Sequence, residues 1–305
     1  MTGGMSRGEY STRGRSDRAL DTIAETLGAA AHLAPDGRGR LLARHTLAGW
    51  PGIVHGGGLV ALLDGGAIAL GGVALPRVVD ARLIAPVPID TALILEGHAA
   101  DDAVRLSVLQ DGRTLTSSAI SALDPRAASP ATAWRGGDDG SSLPMSEHCL
   151  ACGALNPLGL QARLRFDDAG VWARLEPRAP WRDREGRPHP ALAPVLLDEI
   201  AWWLGALVAK EGGLTNRIRL TLWEPDARWS APLTAAGRFD AVTPMDKQRI
   251  FWRTETALTA ADGTLVATAS VVFRGGVDYS APQMAYFRPR TPPEVFSRMF
   301  PNYAR

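Results

Sequence analysis

Two pairs of a histidine and an aspartate with the same spacing stand out as residues able to do chemistry. Asp64 follows His55 by nine positions, and Asp198 follows His189 by nine positions. Each pair lies at the start of an apolar run that is typical of a buried helix. Because a buried carboxylate without a partner is costly, two at matched positions indicate a shared chemical role or descent from one duplicated ancestor.

The segments around these pairs are copies of one another. GIVHGGGLVALLDGG (52–66) and GRPHPALAPVLLDEI (186–200) match at five of fifteen positions. The repeat period is 134 residues (189 − 55), and the chain of 305 residues is long enough for two domains of that size. The sequence therefore predicts two tandem units of similar architecture.

The composition is that of a soluble globular protein. Apolar residues make up 46% of the chain and charged residues 21%, and the formal net charge of +1 gives no bias towards nucleic acid. The best apolar stretch, 59–75, is interrupted by Asp64 and four glycines, so we expect no membrane span. The basic N-terminus lacks the apolar core of a signal peptide, and we expect a cytoplasmic protein.

The order of elements predicts an α+β fold in which each unit has one long helix followed by an antiparallel meander. We place the helices at 55–75 and 192–210, with an earlier helix capped by Ser16. Strands are predicted at 41–47, 77–85, 91–99, 103–110, 113–123, 160–166, 171–177, 216–223, 233–242, 249–259 and 264–274.

Changes in composition divide the chain into five parts. We predict a disordered tail at 1–15, a first domain at 16–124, a linker at 125–145 that is rich in small residues, and a second domain at 146–275. The segment 276–305 has several prolines and aromatics, and we expect an extended tail that clamps onto a domain surface or a neighbouring subunit.

The chain resembles hotdog-fold acyl-CoA thioesterases of the phenylacetate-pathway type. The resemblance lies in the His-Gly-Gly of 55–57 with Asp64 two turns later, and in CLACGALNPLGL at 149–160. It implies two tandem hotdog domains, each a long central helix wrapped by a curved antiparallel sheet. It also implies hydrolysis of an acyl-CoA or acyl-carrier-protein thioester without a cofactor. Two such chains would form a homodimer, which is a pseudo-tetramer of hotdog units.

Thioester hydrolysis needs donors for the developing oxyanion and a group that attacks the carbonyl or activates water. N–H groups of Gly56 and Gly57 at a helix N-terminus suit the first role, and Asp64 and Asp198 are candidates for the second. We assign His55 to positioning.

In hotdog dimers of the resembled type, the donor comes from one unit and the acid from the facing unit. Pro190 stands where the first unit has Gly56, and proline has no N–H to donate. We therefore expect one competent site per chain, formed by Gly56 and Asp198. If donor and acid come instead from the same unit, Asp64 is the catalytic residue.

Further residues near the second motif are candidates for substrate binding. Glu199 is a second carboxylate beside Asp198, Trp202 is a candidate for the floor of an acyl pocket, and His189 is the second histidine. The Cys149-x-x-Cys152 pair, preceded by His148, suggests zinc, but a single CxxC is weak support. We expect structural thiols and no metal.

Two other functions compete with hydrolysis. One is a non-catalytic acyl-thioester-binding or scaffold protein, in which the degenerate second copy marks lost turnover. The other is a hydratase or dehydratase on the same fold, although Asn156-Pro157 lacks the following histidine of those families.

Overall fold

A computed structural model of the chain describes residues 22–100, 102–124, 134–224 and 229–304. Its first unit contains helices α1 and α2 and six strands. These are α1 (Ile23–Ala30), β1 (Ala31–Leu33), β2 (Arg38–Leu41), α2 (Gly56–Ala69), β3 (Arg77–Leu83), β4 (Leu93–Ala100), β5 (Ala103–Gln110) and β6 (Arg113–Ala122).

The second unit repeats the arrangement of a long helix followed by antiparallel strands, and two short helices close the chain. Its elements are β7 (Ser141–Ser142), β8 (Arg165–Phe166), β9 (Gly170–Leu175), α3 (Leu192–Ala209), β10 (Gly213–Leu222), β11 (Leu233–Arg238), β12 (Thr243–Pro244), β13 (Phe251–Thr259), β14 (Leu265–Gly275), α4 (Val277–Phe287) and α5 (Pro293–Met299).

The strands of both units form one antiparallel sheet. Its order is β1-β2-β4-β5-β6-β3-β10-β14-β13-β11-β9-β8-β7, with β12 paired to β13. The units meet where β3 pairs with β10 in a register that runs from Arg82 opposite Arg217 to Arg77 opposite Leu222. Because this ladder is continuous, the sheet fixes the positions of the two units relative to each other.

Helices α2 and α3 form the core that the sheet covers. The fully buried residues of α3 include Leu196, Leu197 and Ile200. By length and composition α3 is apolar enough to cross a membrane, with a mean hydropathy of 1.6, but 78% of it is buried inside the fold. Its apolar character is therefore that of a core helix.

The two core helices run antiparallel and approach closely. Gly56, at the start of α2, lies against Asp198 of α3, while Ala61 and Asp64 further along α2 share a cavity with Ala191 at the start of α3. Between these points a Cβ on Gly57 would lie 2.1 Å from the Pro194 carbonyl oxygen. The absence of a side chain at Gly57 is what allows the backbones to approach this closely.

Replacing Gly57 by Ala is expected to lower the free energy of unfolding by about 1–3 kcal/mol, because the new methyl group overlaps backbone atoms that cannot move independently. Chemical denaturation measures this loss. Gly65, also within α2, is the matched control, since among the described residues no atom outside its chain neighbours and the adjacent helix backbone lies within 4 Å of its added Cβ. Gly65→Ala should raise stability by about 0.5–1 kcal/mol, and equal effects at both positions would contradict the packing argument.

Several predicted boundaries are wrong for local reasons. Helix α2 ends at Ala69 rather than at 75, because Gly71 and Gly72 adopt left-handed backbone with φ of +111° and +71°. The predicted strand at 41–47 is a short strand ending at Leu41 followed by a 3-10 helix at His45–Leu47.

The first described helix starts later than predicted. α1 begins after Thr22, which caps it in a capping box with Glu25. The predicted cap Ser16 and the tail at 1–15 lie outside the described residues.

The expectation of an extended C-terminal tail is wrong. Residues after 276 form α4 and α5, and their apolar side chains enter the core, namely Met284, Phe287, Phe296, Met299 and Phe300. The prolines fit this structure because Pro293 is the first residue of α5, where no N–H is needed. Pro282 lies inside α4.

The end of the predicted linker at 125–145 packs against the second unit. Residues 125–133 lie outside the described part of the chain, but Trp134 packs edge-on against Trp172 of β9 at 5.6 Å between ring centroids. Ser141 and Ser142 then form β7 against β8. The end of this segment therefore belongs structurally to the second unit. The other predicted domain bounds stay predictions.

Candidate active site

A cavity at the start of α2 is lined by both units, and we call it the first cavity. The first unit contributes His55 and Gly56, and the second contributes Asp198, Glu199 and Trp202. Because α2 and α3 are antiparallel, the N-terminus of α2 meets the second turn of α3 here. The cross-unit pairing expected for Gly56 and Asp198 is therefore present in the geometry, while the roles of these residues stay predictions.

Asp198 lies directly against the start of α2. Its Oδ2 accepts a 2.8 Å hydrogen bond from the Gly57 N–H, and its Oδ1 accepts a 2.7 Å bond from the Thr215 hydroxyl. Within the part of the chain that the structure describes, the Gly56 N–H has no acceptor. The Gly57 N–H is thus occupied by the Asp198 carboxylate, and the Gly56 N–H is the donor that remains for a ligand.

Burial sets the protonation behaviour of Asp198. Asp198 is 4% exposed, and desolvation raises the pKa of its carboxyl above the ordinary value although His55, Thr215 and the Gly57 N–H act in the opposite direction. A buried acid with a raised pKa beside a free helix N-terminus is the arrangement that general base chemistry uses.

His55 lies between two carboxylates. Its Nδ1 is 3.5 Å from Asp198 Oδ2, and its Nε2 is 3.3 Å from Glu199 Oε2. Burial alone lowers the pKa of His55, but Cys149, Glu199 and Asp198 outweigh burial and raise the pKa well above its usual value. His55 is also the N-cap of α2, because its Nδ1 accepts from the Gly58 N–H at 3.3 Å.

Glu199 points to the opposite side of the histidine from Asp198. Its Oε1 accepts from the Trp203 Nε1 at 3.2 Å, and its Oε2 accepts from the Cys149 thiol at 3.6 Å. Burial raises the pKa of Glu199, but hydrogen bonds to His55, Cys152 and Trp203 outweigh burial and lower the pKa below its ordinary value. An ionised Glu199 holds the imidazole of His55 in place.

The loop at 149–160 brings both cysteines to this cavity. Leu150 N donates to Ala48 O at 2.7 Å, and the Asn156 side-chain amide donates to Thr46 O at 2.9 Å, so the loop is fastened to the first unit. The hydrogen bond from Cys152, together with His55, lowers the pKa of the Cys149 thiol to about 7 despite burial. Both thiols are free and buried.

Two site residues were missed by the sequence reasoning. Cys149 was expected only as a structural thiol, although its CxxC spacing and neighbouring His148 were a signal. Thr215 gave no such signal in the sequence, because a threonine on a strand is common. Only the fold brings Thr215 to Asp198.

The second copy of the motif lines a separate cavity, the second cavity, and is arranged differently. Asp64 is held by Arg77, with Nε donating to Oδ1 at 2.9 Å and Nη2 donating to Oδ2 at 2.6 Å. His189 and Pro190 line the same cavity. The structure therefore places His189 away from Asp198, so the two do not share one binding site.

The helix ends differ as well. α2 begins at Gly56, directly after His55, whereas α3 begins at Leu192, three positions after His189. The His189 Nδ1 accepts from the Ala191 N–H at 3.2 Å. Asp64 thus faces no free N–H donor at the position of Pro190.

Aromatic side chains form one wall of the first cavity. Trp202 lines it, with its Nε1 donating to Gly213 O at 2.9 Å. Phe287 of α4 also lines it, with ring centroids 6.1 Å from Trp202 and 5.9 Å from Trp50. The C-terminal helix therefore supplies part of an apolar surface beside the polar cluster.

Comparison with known proteins supports the fold. No family model and no curated protein sequence matches the chain. A conserved protein of unknown function with hot dog fold from Alicyclobacillus acidocaldarius is similar, with 16% identity, a TM-score of 0.57, and 82% of this chain and 98% of that chain covered.

Two structures of named enzymes are similar at comparable identity. An acyl-CoA thioesterase II, TesB2, from Mycobacterium marinum has 10% identity and a TM-score of 0.56 over 84% of this chain and 98% of that chain. The dehydratase domain of PpsC from Mycobacterium tuberculosis, in complex with C12:1-CoA, has 16% identity and a TM-score of 0.52 over 81% and 97%. The chain therefore has the hotdog fold, with two hotdog units in tandem.

Proposed function

We propose that this protein is a thioesterase that hydrolyses an acyl-CoA or acyl-carrier-protein thioester at one site per chain. The observation that carries the proposal is the free Gly56 N–H at the start of α2, beside the Asp198 carboxylate of the other unit, in a cavity with an apolar wall. Donor and acid lie together there without a metal or cofactor being required for hydrolysis.

In the proposed reaction, the Gly56 N–H acts on the carbonyl oxygen of the thioester, and Asp198 promotes attack on the carbonyl carbon. The thioester carbonyl oxygen accepts from the Gly56 N–H, where the positive end of α2 stabilises the developing oxyanion. Asp198 takes a proton from water as the hydroxide attacks the carbonyl carbon, or attacks that carbon itself. In the first route the C–S bond then breaks, and the leaving thiolate takes the proton from Asp198 as the free thiol. In the second route the C–S bond breaks to leave an acyl-Asp198 anhydride; a water molecule then hydrolyses this anhydride, which releases the carboxylic acid, restores Asp198 and supplies the proton for the thiolate.

The second cavity lacks both an N–H donor at position 190 and a carboxylate that is free to act as a base. Proline at 190 has no N–H to donate, and both oxygens of Asp64 accept hydrogen bonds from Arg77. The asymmetry supports one competent site per chain, with Asp64 in a structural role.

A thiol-release assay over a panel of acyl-CoA and acyl-carrier-protein substrates tests the activity. We expect saturable release for at least one acyl class. Tight binding of acyl thioesters without release would indicate the non-catalytic binding protein instead.

Trp202 is proposed as a wall of the acyl pocket. Trp202→Ala should raise the KM for the preferred acyl-CoA about tenfold, equivalent to roughly 1.4 kcal/mol of binding, because the acyl chain loses an aromatic contact. Trp202→Phe keeps a ring but loses the hydrogen bond to Gly213 and is expected to stay close to wild type. A KM unchanged in the alanine variant for every chain length would exclude this role.

A hydratase or dehydratase is the second candidate. The observation in its favour is His55 beside Asp198, a histidine and acid pair able to move protons on a 3-hydroxyacyl thioester. Incubation with enoyl and 3-hydroxyacyl thioesters separates the two functions, because hydration leaves the thioester intact whereas hydrolysis releases the thiol.

The assembly and location remain part of the proposal. One chain already supplies the two units of a usual hotdog pair, and we propose that two chains form a homodimer. We also propose that the protein acts in the cytoplasm.

A further inference from the structure

We propose that His55, Cys149 and Glu199 form a binding site for one zinc ion at the edge of the first cavity. The three residues offer a nitrogen, a sulfur and an oxygen, which are the ligand types of zinc sites. Their ligand atoms all lie within 4.8 Å of one another. The sequence predicted structural thiols here, because it did not show that the fold brings a histidine and a carboxylate to Cys149.

Two of the three distances between these ligand atoms match those around a tetrahedral ion, and the third, from His55 to Cys149, is at most 4.8 Å. Ligands at about 2.0–2.3 Å from zinc lie about 3.3–3.7 Å from each other in a tetrahedron. His55 Nε2 is 3.3 Å from Glu199 Oε2, and Cys149 Sγ is 3.6 Å from that same oxygen. Two edges of the required tetrahedron are therefore formed by these side chains.

The surroundings resemble those of a metal site. All three residues are buried, with exposures of 4%, 4% and 9% for His55, Cys149 and Glu199. Outer partners hold two of them, since Trp203 donates to the second oxygen of Glu199 and Asp198 Oδ2 lies 3.5 Å from His55 Nδ1. Such partners orient metal ligands and fix the tautomer of a ligating histidine.

Zinc binding at Nε2 places the ring proton on Nδ1, where Asp198 accepts it. The long contact from the Gly58 N–H, at 3.3 Å, is then given up. Because zinc binding contributes far more free energy than one weak hydrogen bond, the exchange favours the ion.

All three ligands line the first cavity, so we assign the fourth position to a water molecule. Cys152 also lines the cavity and contacts both Cys149 and Glu199. Its replacement is expected to leave the ion bound, which is the pattern of an open site with three protein ligands.

The test measures metal content of the full chain without substrate. Protein dialysed against zinc and then against buffer should retain one equivalent by elemental analysis, and cobalt in its place should give an intense thiolate-to-cobalt charge-transfer band. Cys149→Ser should remove the band, and both Cys149→Ser and Glu199→Gln should lose the stoichiometric zinc.

His148→Gln is the matched control, because its side chain is adjacent in sequence but 68% exposed. It should retain the metal, and circular dichroism should show that all variants are folded. Failure of the wild type to retain zinc, or retention by Cys149→Ser, would overturn the site and leave a hydrogen-bonded cluster. Loss of zinc in Cys152→Ser would overturn the assignment of water as fourth ligand.

These outcomes are separate from those of the proposed hydrolysis. A protein without zinc that still releases thiol contradicts only the metal site. A protein with bound zinc that releases no thiol contradicts only the thioesterase.

Discussion

Asp198→Asn is expected to lower kcat for thioester hydrolysis by about 10²- to 10⁴-fold, the range of a lost general base. Asparagine keeps the shape of the site. Its side-chain oxygen can accept from the Gly57 N–H, and its amide can donate to the Thr215 oxygen in place of the present bond, in which the Thr215 hydroxyl donates to Asp198. The loss therefore reports the carboxylate rather than a collapsed cavity.

Asp64→Asn is the matched control on the other helix. Its carboxylate faces Arg77 in the second cavity, so the substitution should affect stability and leave kcat near the wild-type value. Steady-state kinetics of both variants with one acyl-CoA decides the comparison. Loss of activity in Asp64→Asn alone would mean that donor and acid come from the same unit, and equal, undiminished rates in both would exclude hydrolysis by these acids.

Gly56→Pro is expected to lower kcat about 10²- to 10³-fold relative to Gly56→Ala, the cost of one oxyanion donor. Proline removes the N–H at the first position of α2, where the helix tolerates it, and His55 before it already has the extended backbone that proline requires, with ψ of 132°.

Comparison with alanine is needed because any side chain at position 56 meets the acid. An added Cβ would lie 2.7 Å from Asp198 Oδ2, so both variants disturb the carboxylate, but only proline lacks the donor. Pro190→Gly supplies an N–H to the second copy and should create no new activity, because Asp64 stays with Arg77. Equal kcat values for the alanine and proline variants would show that the Gly56 N–H is not the donor.

Much of the architecture followed from sequence patterns. Helical periodicity and turn signals placed the starts of both core helices and most strands within a few residues, since amphipathic and buried segments carry strong local signals. The resemblance to hotdog dimers, applied to the two copies of the motif, implied that Asp198 lies near Gly56, and the structure brings these two residues together.

The remaining features depend on contacts between distant parts of the chain. The pairing of β3 with β10 has no signature in the sequence of either strand. Thr215 reaches Asp198 only because β10 lies beside α3. α4 and α5 were missed because their prolines and short length favour extended chain locally, while burial of Phe287 and Phe300 stabilises the helices. Tertiary packing overrides local preference at such positions.

The continuous ladder between β3 and β10 also has a consequence for dilution. When the two hotdog units are separate chains, dissociation of the subunits separates the N–H donor from the acid. The assembly of such a site therefore depends on protein concentration. Here one covalent chain and one shared sheet hold Gly56 and Asp198 together at any concentration. The first cavity would remain complete in a monomer, so the proposed homodimer is not needed to assemble it.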